Sequence, residues 1–306
     1  MDRTPGVLTT AASLLRVKEW VKNLFVFAPL VFSARLLHGP SLWTTMIAFG
    51  ALCALSSSIY ILNDTVDASR DRRHPVKRSR PIASGRVSPA AAGAIAVMLV
   101  GLGAALLHAA RAPASVWWLA AGFLAMNAAY SLYLKHKVIV DVLTIAIGYV
   151  IRVLIGGAAV QVYVTNWLLL CTFLLATFLG FSKRRHELAI LGEKSESHRF
   201  VLSLYSEEFL DRMSMLTLAM TMTCYVLYTV SPDTVHRFGT HKLLYSSVIV
   251  MFGFFRYLFL LHVKKMGSPV EALYYDRQLV LAVIGWMLYI VAVVYTWPAL
   301  RPLLFR

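Results

Sequence analysis

The stretch Leu62-Asn63-Asp64-Thr65-Val66-Asp67-Ala68-Ser69-Arg70-Asp71 decides how the rest of the chain is read. It follows directly on an apolar run, 41–62, long enough to cross a bilayer. On a helix, Asp64, Asp67 and Asp71 fall at i, i+3 and i+7, so their carboxylates share one face. Asn63, about a quarter turn away, adds a carbonyl oxygen. Carboxylates this close repel unless a cation lies among them. Oxygen ligands without His or Cys favour Mg²⁺, which takes its remaining ligands from water and substrate phosphates. Asn63, Asp64, Asp67 and Asp71 are therefore the candidate metal ligands and catalytic residues. The competing reading is a solvated acidic face among Arg70, Arg72 and Arg73. Acids beside a bilayer without a function are costly, which favours the site.

Composition fixes the class. Of 306 residues, 58% are hydrophobic and only 15% are charged, and the mean hydropathy is +0.66. That is an all-α integral membrane protein rather than a soluble domain. No cleavable signal peptide is expected, because Asp2, Arg3, Arg16, Lys18 and Glu19 crowd the first 20 residues. The net charge of +15 points to positive cytoplasmic loops and phosphate-bearing partners, not to nucleic acid. Cys53, Cys171 and Cys224 all lie in apolar runs, and their spacing matches no metal site or disulfide scaffold, so they read as packing residues.

Nine spanning segments are expected at 22–37, 41–62, 90–110, 115–134, 139–160, 164–182, 212–231, 242–263 and 279–299. The first is short, with a start as early as Leu15 within its range. Pro113, Pro232 and Pro298 stand at or near span ends, where a missing donor does least harm. With the N-terminus inside, 22 Lys and Arg collect on the cytoplasmic side and 6 on the other. The positive-inside rule then puts the N-terminus in the cytoplasm and the C-terminus outside. Long cytoplasmic loops at about 63–89 and 183–211 begin 120 residues apart, suggesting two four-span halves plus a ninth span. The second loop is expected to form amphipathic helices over the cytoplasmic mouth. The whole of 1–306 reads as one catalytic domain in a bacterial-type plasma (inner) membrane, its active site facing the cytoplasm.

After the acids, His74-Pro75-Val76-Lys77-Arg78-Ser79-Arg80-Pro81-Ile82-Ala83-Ser84-Gly85 ends the helix and sets Lys77, Arg78 and Arg80 beside the carboxylates. Cations next to metal-binding acids suit a magnesium-bound diphosphate, or else lipid headgroups. Asn63-x-x-x-Asp67-x-x-x-Asp71, followed by Lys77-Arg78-x-Arg80-Pro81-Ile82-x-Ser84-Gly85, resembles the first aspartate motif of the UbiA-type intramembrane prenyltransferase superfamily. Tyr130, Lys135 and Asp141 resemble its element at the junction of spans 4 and 5. The resemblance covers essentially the whole chain and implies a nine-helix UbiA-like bundle.

One departure narrows it. Where the superfamily carries a second aspartate-rich motif, this chain has Ser182-Lys183-Arg184-Arg185-His186-Glu187. Together with Lys18-Glu19-Trp20-Val21-Lys22-Asn23, and with Pro269 and Asp276-Arg277, that run resembles the polyprenyl-phosphate phosphoribosyltransferase branch. The branch implies Mg²⁺-dependent transfer of 5-phosphoribose from phosphoribosyl diphosphate to a decaprenyl-like phosphate, in the making of cell-envelope arabinose-donor lipids. Diphosphate would leave C1 of the ribose, its charge carried by the metal. The acceptor phosphate is already an anionic nucleophile and needs cations to position it. Lys22, Lys135, Arg152, Lys183 and Arg184 are candidates, and Asn23, Tyr130, Asp141 and Glu187 join the phosphate-binding set.

Several of these residues carry a second reading. Arg152 lies about 16 Å deeper along its helix than Asp141, as a phosphate anchor or as a carbonyl-capped arginine between spans. Arg256 has the same ambiguity nearer a membrane face. Lys183 and Glu187 also fit a helical salt bridge, and Tyr130 an interfacial belt. Gly156-Gly157 reads as close helix packing. An aromatic-acceptor prenyltransferase is the alternative enzyme, weakened by the missing second acidic motif. A transporter is weakened because coupling ions sit near mid-membrane. The expected partners are phosphoribosyl diphosphate, polyprenyl phosphate and the bilayer, with a homo-oligomer left open.

Overall fold

The computed structural model describes residues 6–73, 76–191, 200–264 and 269–296. His74, Pro75, Pro298 and part of the second predicted loop lie outside the described residues. Among the described residues every regular element is helical. Chain order runs α1 Val7–Leu14, a 3₁₀ segment Val17–Phe27, α2 Ala28–Phe32, α3 Gly39–Val66, α4 Ala68–Asp71 and α5 Pro89–Ala109. Then come α6 Ala114–Leu132, α7 Val140–Ala159, α8 Asn166–Leu191, α9 Phe200–Ser203 and α10 Glu207–Val230. The last are α11 Pro232–Phe238, α12 Ser246–His262, α13 Pro269–Tyr275 and α14 Arg277–Val291, continued by a π turn through Thr296.

Seven of the described helices are long and apolar enough to cross a membrane. The chain is thus a multi-pass membrane protein. Two of the nine predicted segments fall outside that set. One is α6, whose 19 residues include Trp117, Trp118, Asn127 and Tyr130. The other is the first, expected as a helix over 22–37. It is instead 11 residues of 3₁₀ helix followed by a 5-residue α-helix. A 3₁₀ helix rises about 2.0 Å per residue against 1.5 Å, so the two pieces together extend about 30 Å. A short segment therefore reaches as far as the hydrocarbon is thick.

Side chains set several boundaries. Ser88 caps α5 by accepting from the Ala91 N–H at 3.2 Å, with Pro89 following. Ser206 caps α10 through the Phe209 N–H at 3.1 Å, with Glu207 and Glu208 in its first turn. Asp276 caps α14 through the Leu279 N–H at 2.8 Å. The predicted second loop is shorter than expected. Lys183–Leu191 continues α8, Glu207–Asp211 begins α10, and α9 is the one separate helix described between them. Leu188 explains this: it packs with Val142, Phe181, Tyr205 and Leu210, so extending the helix buries it.

Val26, Leu52, Leu55, Leu107, Phe123 and Ile155 form one core in the first half of the chain. Phe178, Leu218, Tyr257, Leu260 and Leu279 form another in the second half. Ala146, Tyr149 and Ala176 join α7 to α8. Gly156 works as the sequence suggested, because a Cβ there would stand 2.0 Å from the Val26 carbonyl oxygen. The backbone of the 3₁₀ segment thus lies directly on α7.

Candidate active site

The acidic stretch is not one stripe but two pairs on neighbouring faces. α3 ends at Val66, and Asp67 sits in the helical region as its C-cap, so the chain runs on into α4 with little change of direction. The Asp67 N–H donates to the Asn63 carbonyl at 2.9 Å and the Asp71 N–H to the Asp67 carbonyl at 2.8 Å. Residues at i and i+4 share one face and those at i and i+7 the next. Asn63 and Asp67 accordingly meet Lys135, whose ammonium donates to Asn63 Oδ1 at 3.3 Å and Asp67 Oδ1 at 2.7 Å. Asp64 and Asp71 meet Arg80, whose Nη1 donates to them at 3.0 and 2.6 Å. Arg16 also pairs with Asp64. It is held in the left-handed region at φ 50°, where α1 gives way to the 3₁₀ segment.

Three carboxylates on one face was therefore too simple, and among the described residues no three His, Cys, Asp or Glu side chains converge as a metal cluster. The donors nevertheless suit Mg²⁺, which is held through one or two carboxylates plus substrate phosphates. In each pair a side-chain cation already sits between two hard oxygens, standing in for the charge a metal would bring. Burial pushes the Asp71 carboxyl up from its ordinary value, against the pull of Arg80 and Lys77.

A second network holds the start of α7. Asp141 is 0% exposed. Its Oδ2 accepts from Arg184 Nε at 2.7 Å and its Oδ1 from the Tyr205 hydroxyl at 2.8 Å. Arg184 spends its remaining nitrogens on Glu187 at 2.6 Å and the Tyr130 hydroxyl at 3.1 Å. The predicted residues Tyr130, Asp141, Arg184 and Glu187 thus come together, but to satisfy one another. The alternative reading, a Lys183–Glu187 bridge, gives way to Arg184–Glu187 at i, i+3. Ile139, just before α7, has φ 68° and closes a γ-turn in which the Val140 N–H donates to the Val138 carbonyl at 2.7 Å. A β-branched residue is strained there, and the Tyr205 hydroxyl accepts the Ile139 N–H at 2.6 Å.

Deeper, Arg152 is a carbonyl-capped arginine. Its Nε donates to Asn23 Oδ1 at 2.8 Å and its Nη1 to the Gly148 carbonyl at 2.8 Å. It lies over the rings of Phe123 and Tyr149 at 4.8 and 5.4 Å. Asn23 also bonds Ser56 and Cys53. Arg256, ambiguous from sequence, makes a two-pronged pair with Asp276 at 3.1 and 2.7 Å.

Between the two networks run Glu19, Lys22 and Lys183. Lys22 pairs with Glu19, and Glu19 lies within electrostatic reach of Arg16 and Lys183. Lys183 is half-buried, faces Lys22 and Glu187, and makes no hydrogen bond or ion pair among the described residues. Lys77 and Arg78 sit on the 3₁₀ turn Lys77–Ser79, beside Arg80. Sequence reasoning missed Arg16 and Tyr205 as site residues. Arg16 carried a signal, a basic residue close before the first span, whereas Tyr205 carried none.

The UbiA prenyltransferase family model matches residues 24–275. The chain belongs to this family. The UbiA assignment makes it an enzyme, a transferase of the membrane. It is 28% identical to the decaprenyl-phosphate phosphoribosyltransferase of Mycolicibacterium smegmatis, over 92% of this chain and 91% of that one. It is 27% identical to the Corynebacterium glutamicum protein of the same name, over 93% and 86%. In fold it is similar to a UbiA homologue from Archaeoglobus fulgidus solved with DMAPP and Mg²⁺. That likeness has a TM-score of 0.69 at 16% identity, covering 92% of this chain and 98% of the other.

Proposed function

We propose that this UbiA-family enzyme transfers 5-phosphoribose from phosphoribosyl diphosphate to a polyprenyl phosphate, with Mg²⁺, releasing diphosphate. The observation that carries this reading is the cationic end of α8. Lys183 is a half-buried cation without a hydrogen-bond partner among the described residues, facing Lys22, where an isoprenyl-diphosphate enzyme would bring a second set of acids. Two neighbouring lysines suit a phosphate bound directly. The curated relatives that span most of the chain carry the matching name.

The residues divide the work. Asn63 with Asp67 and Asp64 with Asp71 would hold Mg²⁺ once Lys135 and Arg80 turn from the carboxylates to incoming phosphates. When bound, the metal supplies the positive charge that stabilises the departing diphosphate. Lys22 and Lys183 hold the lipid phosphate so that one oxygen faces C1 of the ribose. The bond from C1 to diphosphate breaks and a bond from C1 to lipid phosphate forms, with no general base required. Arg184 and Arg152 act as positioning residues that fix α7 and α8 around the site.

In this reading 1–306 is one catalytic domain with nine spans, the N-terminus inside and the C-terminus outside. It lies in a bacterial plasma membrane, and its site faces the cytoplasm, where soluble phosphoribosyl diphosphate is available. Its product would enter cell-envelope arabinose-donor lipid synthesis. The test gives membranes carrying the protein labelled phosphoribosyl diphosphate, polyprenyl phosphate and Mg²⁺, and scores lipid-extractable label. Label that depends on all three is expected. Absence of label, with turnover of an isoprenyl diphosphate onto an aromatic acceptor instead, overturns the proposal.

A further inference from the structure

From sequence the cysteines read as packing residues, yet two of the three thiols touch. Cys171 Sγ and Cys224 Sγ are 3.3 Å apart across the α8–α10 interface. A disulfide bond is about 2.0 Å long, so contact lies within roughly 1.3 Å of bonding distance. Cys53 is elsewhere, buried on α3 and accepting from Asn23.

The pair belongs to the end of the bundle away from the acids. Cys171 lies five residues into α8 and Cys224 six residues before the end of α10, each about 7–9 Å from its helix end. Arg184 is thirteen residues further along α8, about 20 Å away by helix rise. Nothing in the proposed transfer reaches these thiols.

Above them is a cavity of about 310 Å³, lined by Trp167, Leu168, Tyr228, Thr234 and Arg237 among others. Trp167 and Leu168 stand one helical turn before Cys171, and Tyr228 one turn after Cys224. Tyr225 and Tyr228 lie within electrostatic reach of Cys171. The cavity therefore lies about one helical turn from the thiols, which do not themselves line it. Its volume is at the lower end of small-molecule sites. Cys171 is partly exposed, whereas Cys224 is buried.

We propose that Cys171 and Cys224 are a redox-active pair, closed to an interhelical disulfide by a small disulfide oxidant entering through this cavity. The sulfur of Cys171 attacks the oxidant, forming a mixed disulfide and releasing one thiol. Cys224 then displaces the second thiol and closes the bond. The two cysteines give up two protons and two electrons, and the oxidant leaves as two thiols. On the proposed topology this end faces the outer compartment, where disulfides persist. The chemistry itself does not depend on that topology or on the transferase reading. The bond would pin α8, which carries Lys183 and Arg184, against α10.

The test uses purified protein in detergent, with oxidised glutathione as the probe. After quenching and denaturation, free thiols are counted by gel shift with a polyethylene-glycol maleimide. Three adducts are expected before oxidation, one after, and three again on reduction. Peptide mapping is expected to leave Cys53 labelled and join Cys171 to Cys224, with intact mass lower by two hydrogens. Thr234→Phe, which fills the cavity, is expected to slow closure about tenfold toward glutathione. Three adducts persisting after oxidation, or bridges between chains, overturn the pair. An unchanged rate in Thr234→Phe overturns the route through the cavity.

Discussion

Replacing Arg184 by methionine separates a structural clamp from a substrate ligand. The change keeps much of the apolar stem and removes the guanidinium. It leaves Asp141, 0% exposed, with the Tyr205 hydroxyl as its remaining partner among those described. Breaking a buried pair in this way costs about 3–5 kcal/mol, because one charge stays buried without compensation. At roughly 2 °C per kcal/mol for a chain of this size, thermal unfolding in detergent should fall by about 6–10 °C. Removing both charges, as in Arg184→Met with Asp141→Leu, should restore at least half of that loss. The double-mutant cycle therefore reads the coupling directly. If Arg184→Met stays within about 1 kcal/mol of wild type in stability while losing transfer activity, the reasoning fails. The guanidinium would then be a phosphate ligand, and its contacts with Asp141, Glu187 and Tyr130 a resting arrangement.

Other consequences can be checked alongside. Asp67→Asn and Asp71→Asn should each abolish lipid labelling while the protein still purifies folded, since Asn can still accept from Lys135 or Arg80; near wild-type turnover in either would remove the metal assignment. Lys183→Ala should raise the apparent requirement for a phosphate-bearing substrate about tenfold or more, and an unchanged response to both substrates would take Lys183 out of the site. Gly156→Ala should destabilise the protein by about 1–3 kcal/mol, because the new methyl meets the Val26 carbonyl oxygen; a neutral result would mean that the 3₁₀ segment moves freely. Hydrogen bonding by Arg256 holds the Asp276 carboxyl below its ordinary value of 3.8. A depressed carboxylate gives stability that is complete above 3.8 and lost as pH falls through the lowered value. The unfolding-temperature advantage of wild type over Asp276→Asn should therefore shrink below about pH 4, and a gap that stays constant would refute the pairing.

The alternation of apolar runs with basic loops was enough to establish a helical membrane protein, because a span needs only length and apolarity, and both are local properties. The acids at 63–71 and the basic run at 182–187 were visible for the same reason: unusual residue types stood beside a membrane segment. Pairing was not visible, since it depends on which helices touch. Sequence put Asp64, Asp67 and Asp71 on one face; the structure divides them between Lys135 and Arg80, which arrive from other parts of the chain. Arg152 and Arg184 were both read from sequence as candidates to position a phosphate. Only packing provides Asn23 and a backbone carbonyl for one, and Asp141, Glu187 and Tyr130 for the other. A separation of 53 positions between Cys171 and Cys224 conceals a contact that exists because two long helices lie side by side. The chain by itself determines where the charges are; the bundle decides which of them are neutralised, as Arg184 is by Asp141 and Glu187, and which, like Lys183, make no ion pair among the described residues.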